Sequence, residues 1–410
     1  MTKRNVQFSP PDISELEIAE VVEALRSGWI TTGPRVKQLE EKLAVFCGTN
    51  KVVCLNSATA AEELNLRILG IGEGDEVLVP AYTYTATASA AIHAGATVKL
   101  IDCQRDSLEM DYDQLENAIT EKTKAIVPVD LCGIVCDYDR IFQIVERKQH
   151  MFTPGGNTDL GRRIQKALGR IAVVADCAHS LGSEWHGKRS GSIADFSSFS
   201  FHAVKNFTTA EGGASTWRQI PDIDDGEIYT QFQLYSLHGQ SKDALAKTQL
   251  GAWEYDIIGT WYKCNMTDIA AAIGLKQLER YQGLLDKRRK IIGRYDSMCE
   301  ELGLMHAKHY GEDYASCGHL YPVRVPWADA EGRNDIIKRM AERGVACNVH
   351  YKPLPMMTAY KKLGWDIKDF PNAYRNYENE VTLPLHTRLE DEDVTYVMEQ
   401  FREVIKETRS

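Results

Sequence analysis

The stretch Ile171-Ala172-Val173-Val174-Ala175-Asp176-Cys177-Ala178-His179 is an unbroken aliphatic run that ends on a carboxylate and then turns small and polar. A short run without polar alternation reads as a strand buried on both faces. Similar runs stand upstream at 52–55, 76–80, 97–102 and 125–129. Between and before them, 15–25, 36–46 and 59–69 place apolar residues at helical spacing. Buried strands alternating with helices predict an α/β fold with a mostly parallel sheet, in which ligands gather beyond the carboxyl ends of the strands.

The pattern changes near residue 265. Stretches 267–281 and 284–302 read as two amphipathic helices, followed by a strand at 321–325, a helix at 330–343, a strand at 345–349 and a helix at 390–406. This predicts a large α/β domain over 1–265 and a smaller C-terminal α+β domain over 266–410. Two segments, 146–170 and 222–254, look less regular; they read as surface excursions near an active-site mouth or a subunit contact, or as plain loop decoration.

Composition narrows the function classes. The 410 residues carry 48 basic and 58 acidic side chains, a formal charge of −10 with no basic block, which argues against nucleic acid as the main partner. No run approaches the roughly 20 apolar residues a membrane span needs. The start, Met1-Thr2-Lys3-Arg4-Asn5, leads into polar sequence with no apolar core of a secretory signal, so a cytoplasmic protein is expected. Ten cysteines are scattered from Cys47 to Cys347, and the closest pair, Cys132 and Cys136, has no second pair at zinc-finger spacing. Reduced thiols and no metal site are expected.

Four places carry chemistry. Lys205 lies between the alternating Ser198-Phe199-Ser200-Phe201 and the small-residue strip Thr208-Thr209-Ala210-Glu211-Gly212-Gly213; enclosure there would depress its pKa toward a nucleophilic amine, whereas the plainer reading is a surface lysine at a strand end. Asp176 closes its strand toward the ligand crevice, as an ion-pair partner for a protonated heteroaromatic nitrogen or as a cap for the following turn. Asn56-Ser57-Ala58-Thr59-Ala60-Ala61 forms a strand-to-helix corner able to hold an anion, or an ordinary helix cap. Tyr82 and Tyr84 follow a strand directly, so one ring could cover a planar cofactor or simply pack.

Taken in order, these pieces resemble the fold-type I aminotransferases that use pyridoxal 5′-phosphate (PLP), and more narrowly the DegT/DnrJ/EryC1/StrS nucleotide-sugar aminotransferases. The likeness runs through Ser27-Gly28-Trp29-Ile30-Thr31-Thr32-Gly33-Pro34, Leu69-Gly70-Ile71-Gly72-Glu73-Gly74-Asp75, Asp176-Cys177-Ala178-His179, Ser200-Phe201-His202-Ala203-Val204-Lys205, Tyr262-Lys263-Cys264-Asn265 and Val349-His350-Tyr351. The resemblance implies that Lys205 bonds to the PLP aldehyde and shuttles a proton, and that Asp176 pairs with the pyridine nitrogen. It implies that Ala58, Thr59 and Ser200 hold the phosphate, that Tyr84 stacks on the ring and that His179 packs nearby. Lys263 and Asn265 would reach the partner subunit's phosphate in a homodimer with shared sites, and Thr31, His238 and His350, with the 235–243 stretch, would meet the sugar nucleotide. Many members have Gly in place of Ala58, Gln in place of His179 and Asn in place of Lys263. These variants look most like the branch that makes UDP-4-amino-4-deoxy-L-arabinose, although 146–170 is longer than that branch usually carries. The implied reaction moves an amino group from L-glutamate to a UDP-linked or other nucleotide-linked 4-keto sugar; a 3-keto sugar aminotransferase or a dehydratase on the same scaffold is the alternative.

Overall fold

The computed structural model describes residues 4–241 and 254–409. Its strands are β1 (Val52–Leu55), β2 (Glu76–Pro80), β3 (Thr97–Ile101), β4 (Thr123–Ile126), β5 (Ala172–Asp176), β6 (Glu184–Trp185), β7 (Lys188–Arg189), β8 (Phe196–Ser200), β9 (Gly213–Trp217), β10 (Met305–His306), β11 (Tyr314–Ala315), β12 (Tyr321–Arg324) and β13 (Glu380–Leu383). A 7-stranded sheet has the order β1-β9-β8-β5-β4-β2-β3. The pairs among β3, β2, β4, β5 and β8 are parallel, and β9 runs antiparallel to both of its neighbours. The carboxyl ends of β1, β2, β5 and β8 therefore open on one edge, where the crevice of an α/β sheet lies.

Helices cover both faces: α1 (Glu15–Arg26), α2 (Pro34–Cys47), α3 (Ala58–Ile68), α4 (Thr85–Ala94), α5 (Tyr112–Ala118), α6 (Tyr138–Arg147), α7 (Asp159–Leu168) and α8 (Asp225–Ser236). On one face Leu64 and Ile68 of α3 meet Val53, Val77 and Phe196 of the sheet; on the other, Leu39 and Leu43 of α2 join Cys54, Val173 and Phe199. Burial of both strand faces accounts for the continuous apolar runs in the sequence.

Next come α9 (Asp268–Leu302), α10 (Ala330–Glu342), α11 (Thr358–Lys362), α12 (Pro371–Glu378) and α13 (Asp391–Arg409). A second, 3-stranded sheet, β10-β12-β13, forms its own core with Ile336, Val397, Phe401 and the later turns of α9. The first turns of α9 instead bury Ala271, Leu275 and Tyr281 against the large sheet. One helix thus roots the smaller unit in the larger one.

Several expectations need correction. The two helices expected at 267–281 and 284–302 are the single 35-residue α9. Gly283, at the expected break, meets open space, and the roughly 1 kcal/mol a helical glycine costs is outweighed by packing on both cores. The strand expected at 125–129 is Thr123–Ile126, because Pro128 has no N–H to continue the ladder. The strand expected at 345–349 makes only isolated bridges, Val345 with Val6 and Asn348 with Thr382. Segment 222–254 holds α8, with Ile228, Phe232 and Tyr235 buried at helical spacing; residues 242–253 lie outside the described residues. Segment 146–170 does not border the crevice. Asn157 N donates to Gly70 O (2.9 Å) and Gln165 Nε2 to Leu69 O (2.7 Å), at the far end of α3 from Ala58.

Candidate active site

The crevice holds a cavity of ≈ 390 Å³ whose wall includes Ala58, Thr59, Tyr84, Asp176, His179, Ser200 and Lys205, so these sequence-predicted residues converge on one space. Its first wall is the corner after β1. Ser57 caps α3, its Oγ accepting from Ala60 N at 3.1 Å. First-turn amides of a helix have no intrahelical acceptor, so Ala58 and Thr59 offer theirs at the positive end of the helix dipole. Gly213 at the start of β9 lets the sheet approach this corner, since a Cβ there would stand 2.3 Å from Ser57 C and 2.5 Å from Ala58 N.

Asp176 projects from the end of β5 and is almost wholly buried. Its Oδ2 accepts from Thr87 Oγ1 (2.7 Å), and its Oδ1 from Ala178 N (3.0 Å). Both bonds stabilise the carboxylate and fix its orientation. Thr87 belongs to α4, whose first turn follows Tyr84, so the same loop that brings an aromatic ring to the mouth also braces the acid.

Lys205 sits in a loop closed at both ends. Phe201 N donates to Gly212 O and Thr209 N to Phe201 O (both 2.9 Å), while Lys205 N donates to His202 O (2.9 Å). Next to it, Asn206 Nδ2 donates to Cys317 O (2.9 Å). Part of the lysine surface faces the cavity, yet burial around it lowers its pKa from 10.5 to about 8, against the opposing pull of Asp176. A lysine poised there exists in part as a free amine near neutral pH, as a nucleophile requires.

His179 receives a bond at Nδ1 from Cys132 N (3.2 Å), and an amide can only donate. A neutral ring therefore carries its proton on Nε2, which faces Tyr351 Oη at 3.2 Å. Burial first, and Lys205 second, push its pKa well below the usual histidine value, so the ring is neutral. Tyr84 is 60% exposed, unusual for a tyrosine on a cavity wall, and lies 5.9 Å from the Tyr351 ring.

The remaining predicted residues do not line this cavity within one chain. Lys263 Nζ bonds Asn265 Oδ1, and Asn265 Nδ2 donates to Thr32 Oγ1. That segment runs beside β1, with Asn265 bridged to Leu55 and Asn56 N donating to Cys264 O (2.8 Å). Thr31 is exposed, its carbonyl accepting from Asp268 N at 3.0 Å. His238 is exposed in a left-handed conformation (φ 58). Residues 242 and 243 of the stretch expected to meet the sugar nucleotide lie outside the described residues. His350 is half-buried, held by Thr382 Oγ1 (3.0 Å) and stacked on Phe8 at 5.4 Å; burial and then Lys205 lower its pKa to about 4.

Three residues of the site escape a reading by strand ends: Thr87, Tyr351 and Glu62. Glu62 carried a usable signal, because it stands on α3 where the helical period with Ala58, Ala61 and Asn65 turns toward the sheet.

A lysine of depressed pKa, a fixed carboxylate and the open N-terminus of a helix, gathered where parallel strands stop, fit a fold-type I PLP enzyme. The chain belongs to the DegT/DnrJ/EryC1/StrS aminotransferase family, whose sequence profile matches residues 11–153 and 161–402. The unmatched gap, 154–160, runs from the turn before α7 into its first two residues. The fold matches the putative sugar aminotransferase Spr1654 from Streptococcus pneumoniae in its PLP form, with a TM-score of 0.94 and 56% identity over 99% of this chain and 100% of that one. The chain is 35% identical to the spore coat polysaccharide biosynthesis protein SpsC of Bacillus subtilis, over 98% of each. It is 33% identical to the UDP-4-amino-4-deoxy-L-arabinose–oxoglutarate aminotransferase of Shewanella sediminis, over 99% of each. It is a PLP-dependent sugar aminotransferase. The residues present fit the cofactor: the depressed lysine suits its aldehyde, and the corner opened by Gly213 suits its phosphate.

Proposed function

We propose that the enzyme transfers the amino group of L-glutamate to the C4 ketone of a nucleotide-linked sugar, with UDP as the carrier, in making an amino sugar for a surface polysaccharide or lipid. The observation that carries the reading is the convergence of Lys205, Asp176 and the Ala58–Thr59 corner on one cavity, in a chain similar from end to end to a UDP-4-amino sugar aminotransferase.

Bound PLP supplies an electron sink that lets a proton leave the carbon bearing the transferred nitrogen. In this reading Lys205 would hold the cofactor through its aldehyde carbon, and its amine, when free, would carry the proton to and from the substrate carbon. Asp176, held by Thr87 and Ala178, keeps the ring nitrogen protonated. The amides of Ala58 and Thr59 with the Ser200 hydroxyl bind the phosphate, and Tyr84 covers the ring. Neutral His179, bonded to Tyr351, packs at the ring without adding a second positive charge beside Lys205.

Lys263 and Asn265 lie outside their own chain's cavity, which supports a homodimer in which each chain contributes them to the other's phosphate site. Thr31, His238 and His350 are assigned to the sugar nucleotide by family resemblance, and the low pKa of His350 suits a neutral hydrogen-bonding role. Ten free cysteines, nine of them buried, support a cytoplasmic protein.

Purified enzyme, PLP, glutamate and a panel of UDP- and dTDP-linked 3-keto and 4-keto sugars, read by mass spectrometry, test the reading. Conversion of a UDP-linked 4-keto sugar to its amine, with 2-oxoglutarate released, is expected. Preference for a 3-keto sugar, or loss of water without gain of nitrogen, would overturn it.

A further inference from the structure

Glu62 lines the same cavity as Asp176 and is 2% exposed; neither of its carboxyl oxygens has a partner of full hydrogen-bond geometry among the described residues, and the groups close enough to interact with them are the Asp176 carboxyl and the Ser198 hydroxyl. A buried carboxylate left unpartnered is costly. The electrostatic neighbours of Glu62 are the Asp176 carboxyl and the Ser198 hydroxyl, from the adjacent strands β5 and β8, and neither is a cation. Ser198 Oγ is turned toward Ala175 O at 3.3 Å. On the same face of α3, three residues on, Asn65 accepts from Ser215 Oγ through Oδ1, while its Nδ2 is an unpaired donor. Two carboxyls thus meet on the wall of the cavity, with an unpaired amide one turn further along α3.

Asp176 already accepts two hydrogen bonds, from Thr87 Oγ1 and Ala178 N. Two adjacent buried carboxyls do not both ionise, so the proton belongs on Glu62, whose one neighbouring donor, the Ser198 hydroxyl, is turned toward Ala175 O. Burial, with the Asp176 charge adding to it, raises the pKa of Glu62 well above the carboxylate range, in the same direction.

We propose that Glu62 is a proton-bearing positioning residue that donates a hydrogen bond to Asp176 from behind and so lowers the basicity of the carboxylate facing the cofactor's ring nitrogen. The part concerning the ring nitrogen rests on the role given to Asp176 above; the part concerning the proton does not.

Two measurements on Glu62→Gln, Glu62→Leu and Asp176→Asn separate these parts. In the infrared spectrum of PLP-free protein near neutral pH, Glu62→Gln should remove one C=O stretch of a neutral carboxyl, and Asp176→Asn should not remove it in its place. In the PLP-loaded protein, Glu62→Gln keeps a donor and should leave the pH midpoint of the cofactor's visible absorbance nearly unchanged. Glu62→Leu removes the donor and should raise that midpoint by about one pH unit, a tenfold change in proton affinity. A neutral-carboxyl band that survives Glu62→Gln, or disappears only in Asp176→Asn, overturns the proton assignment. An unmoved midpoint in Glu62→Leu overturns the tuning role. A wild-type protein that takes up no PLP overturns the role of Asp176, while the infrared result still decides where the proton resides.

Discussion

Replacing Lys205 by Met should stabilise the PLP-free protein while destroying its chemistry. Folding moves this ammonium from an ordinary 10.5 to about 8, chiefly through burial. The gap corresponds to about 3 kcal/mol of folding energy spent on holding a proton where it is poorly solvated. Between these two pH values the unfolded chain binds more protons than the folded one, so wild-type stability rises with pH across that window. Below about pH 8 the penalty is present in full; above 10.5 it is gone. Methionine fills nearly the same volume without a charge. Two effects reduce the gain: part of Lys205 faces the open cavity, and Asp176 loses an opposing cation. A net stabilisation of about 1–2 kcal/mol near pH 7 is expected, shrinking toward zero or below near pH 10. Urea unfolding of apo wild type and variant at both pH values measures this directly. A variant less stable than wild type near pH 7, or a difference that does not change with pH, would refute the claim that enclosure tunes this amine.

Lys205→Ala should abolish the borohydride-reducible yellow cofactor adduct, seen by absorbance and by the mass of the reduced protein. Asp176→Asn should retain PLP but lower transamination by about 10²–10³-fold, read in steady-state assays with glutamate. Thr87→Val keeps shape and removes one bond to that carboxylate, so turnover should fall about tenfold with little change in melting temperature. Asp195 tests the sheet rather than the site. Burial pushes its pKa up, but bonds from Arg170 (2.7 and 2.9 Å), the charge of Arg218 (2.7 Å) and Val173 N outweigh burial and hold it below 3.8. Its contribution is complete above that value and lost as pH falls through the lower folded one. Asp195→Asn should therefore cost about 3 kcal/mol in urea unfolding at neutral pH, with the difference narrowing in acid.

Much of the fold was legible because its strands are buried on both faces. Val52–Leu55 and Ala172–Asp176 show as bare aliphatic runs, and each functional group stands within a few residues of a run's end. A parallel sheet turns that sequence adjacency into spatial convergence, since its carboxyl ends share one edge; hence Ala58, Asp176 and Ser200 meet although more than a hundred residues separate the first two. Residues whose place depends on contacts between units leave no such trace. Tyr351 reaches the cavity from beyond α10, and the continuity of α9 through Gly283 is decided by two cores, not by local propensity.

Glu62 and Asn65 mark a different kind of limit. Apolar periodicity finds the face of α3 that meets the sheet, but it treats a polar residue on that face as noise in the pattern. Here the interruption is informative. Leu64 and Ile68 hold α3 to the sheet, so its orientation does not need Glu62, and an acid at that position weakens the packing it interrupts. Asn65 pairs only its carbonyl oxygen, with Ser215, which leaves its amide directed at no acceptor of the described chain. A helix that needed only to bury its face would carry leucine at both positions. Under our proposal, these two polar residues one turn apart, the first of them next to the Asp176 carboxyl, answer to the chemistry of the cavity and not to the stability of the fold.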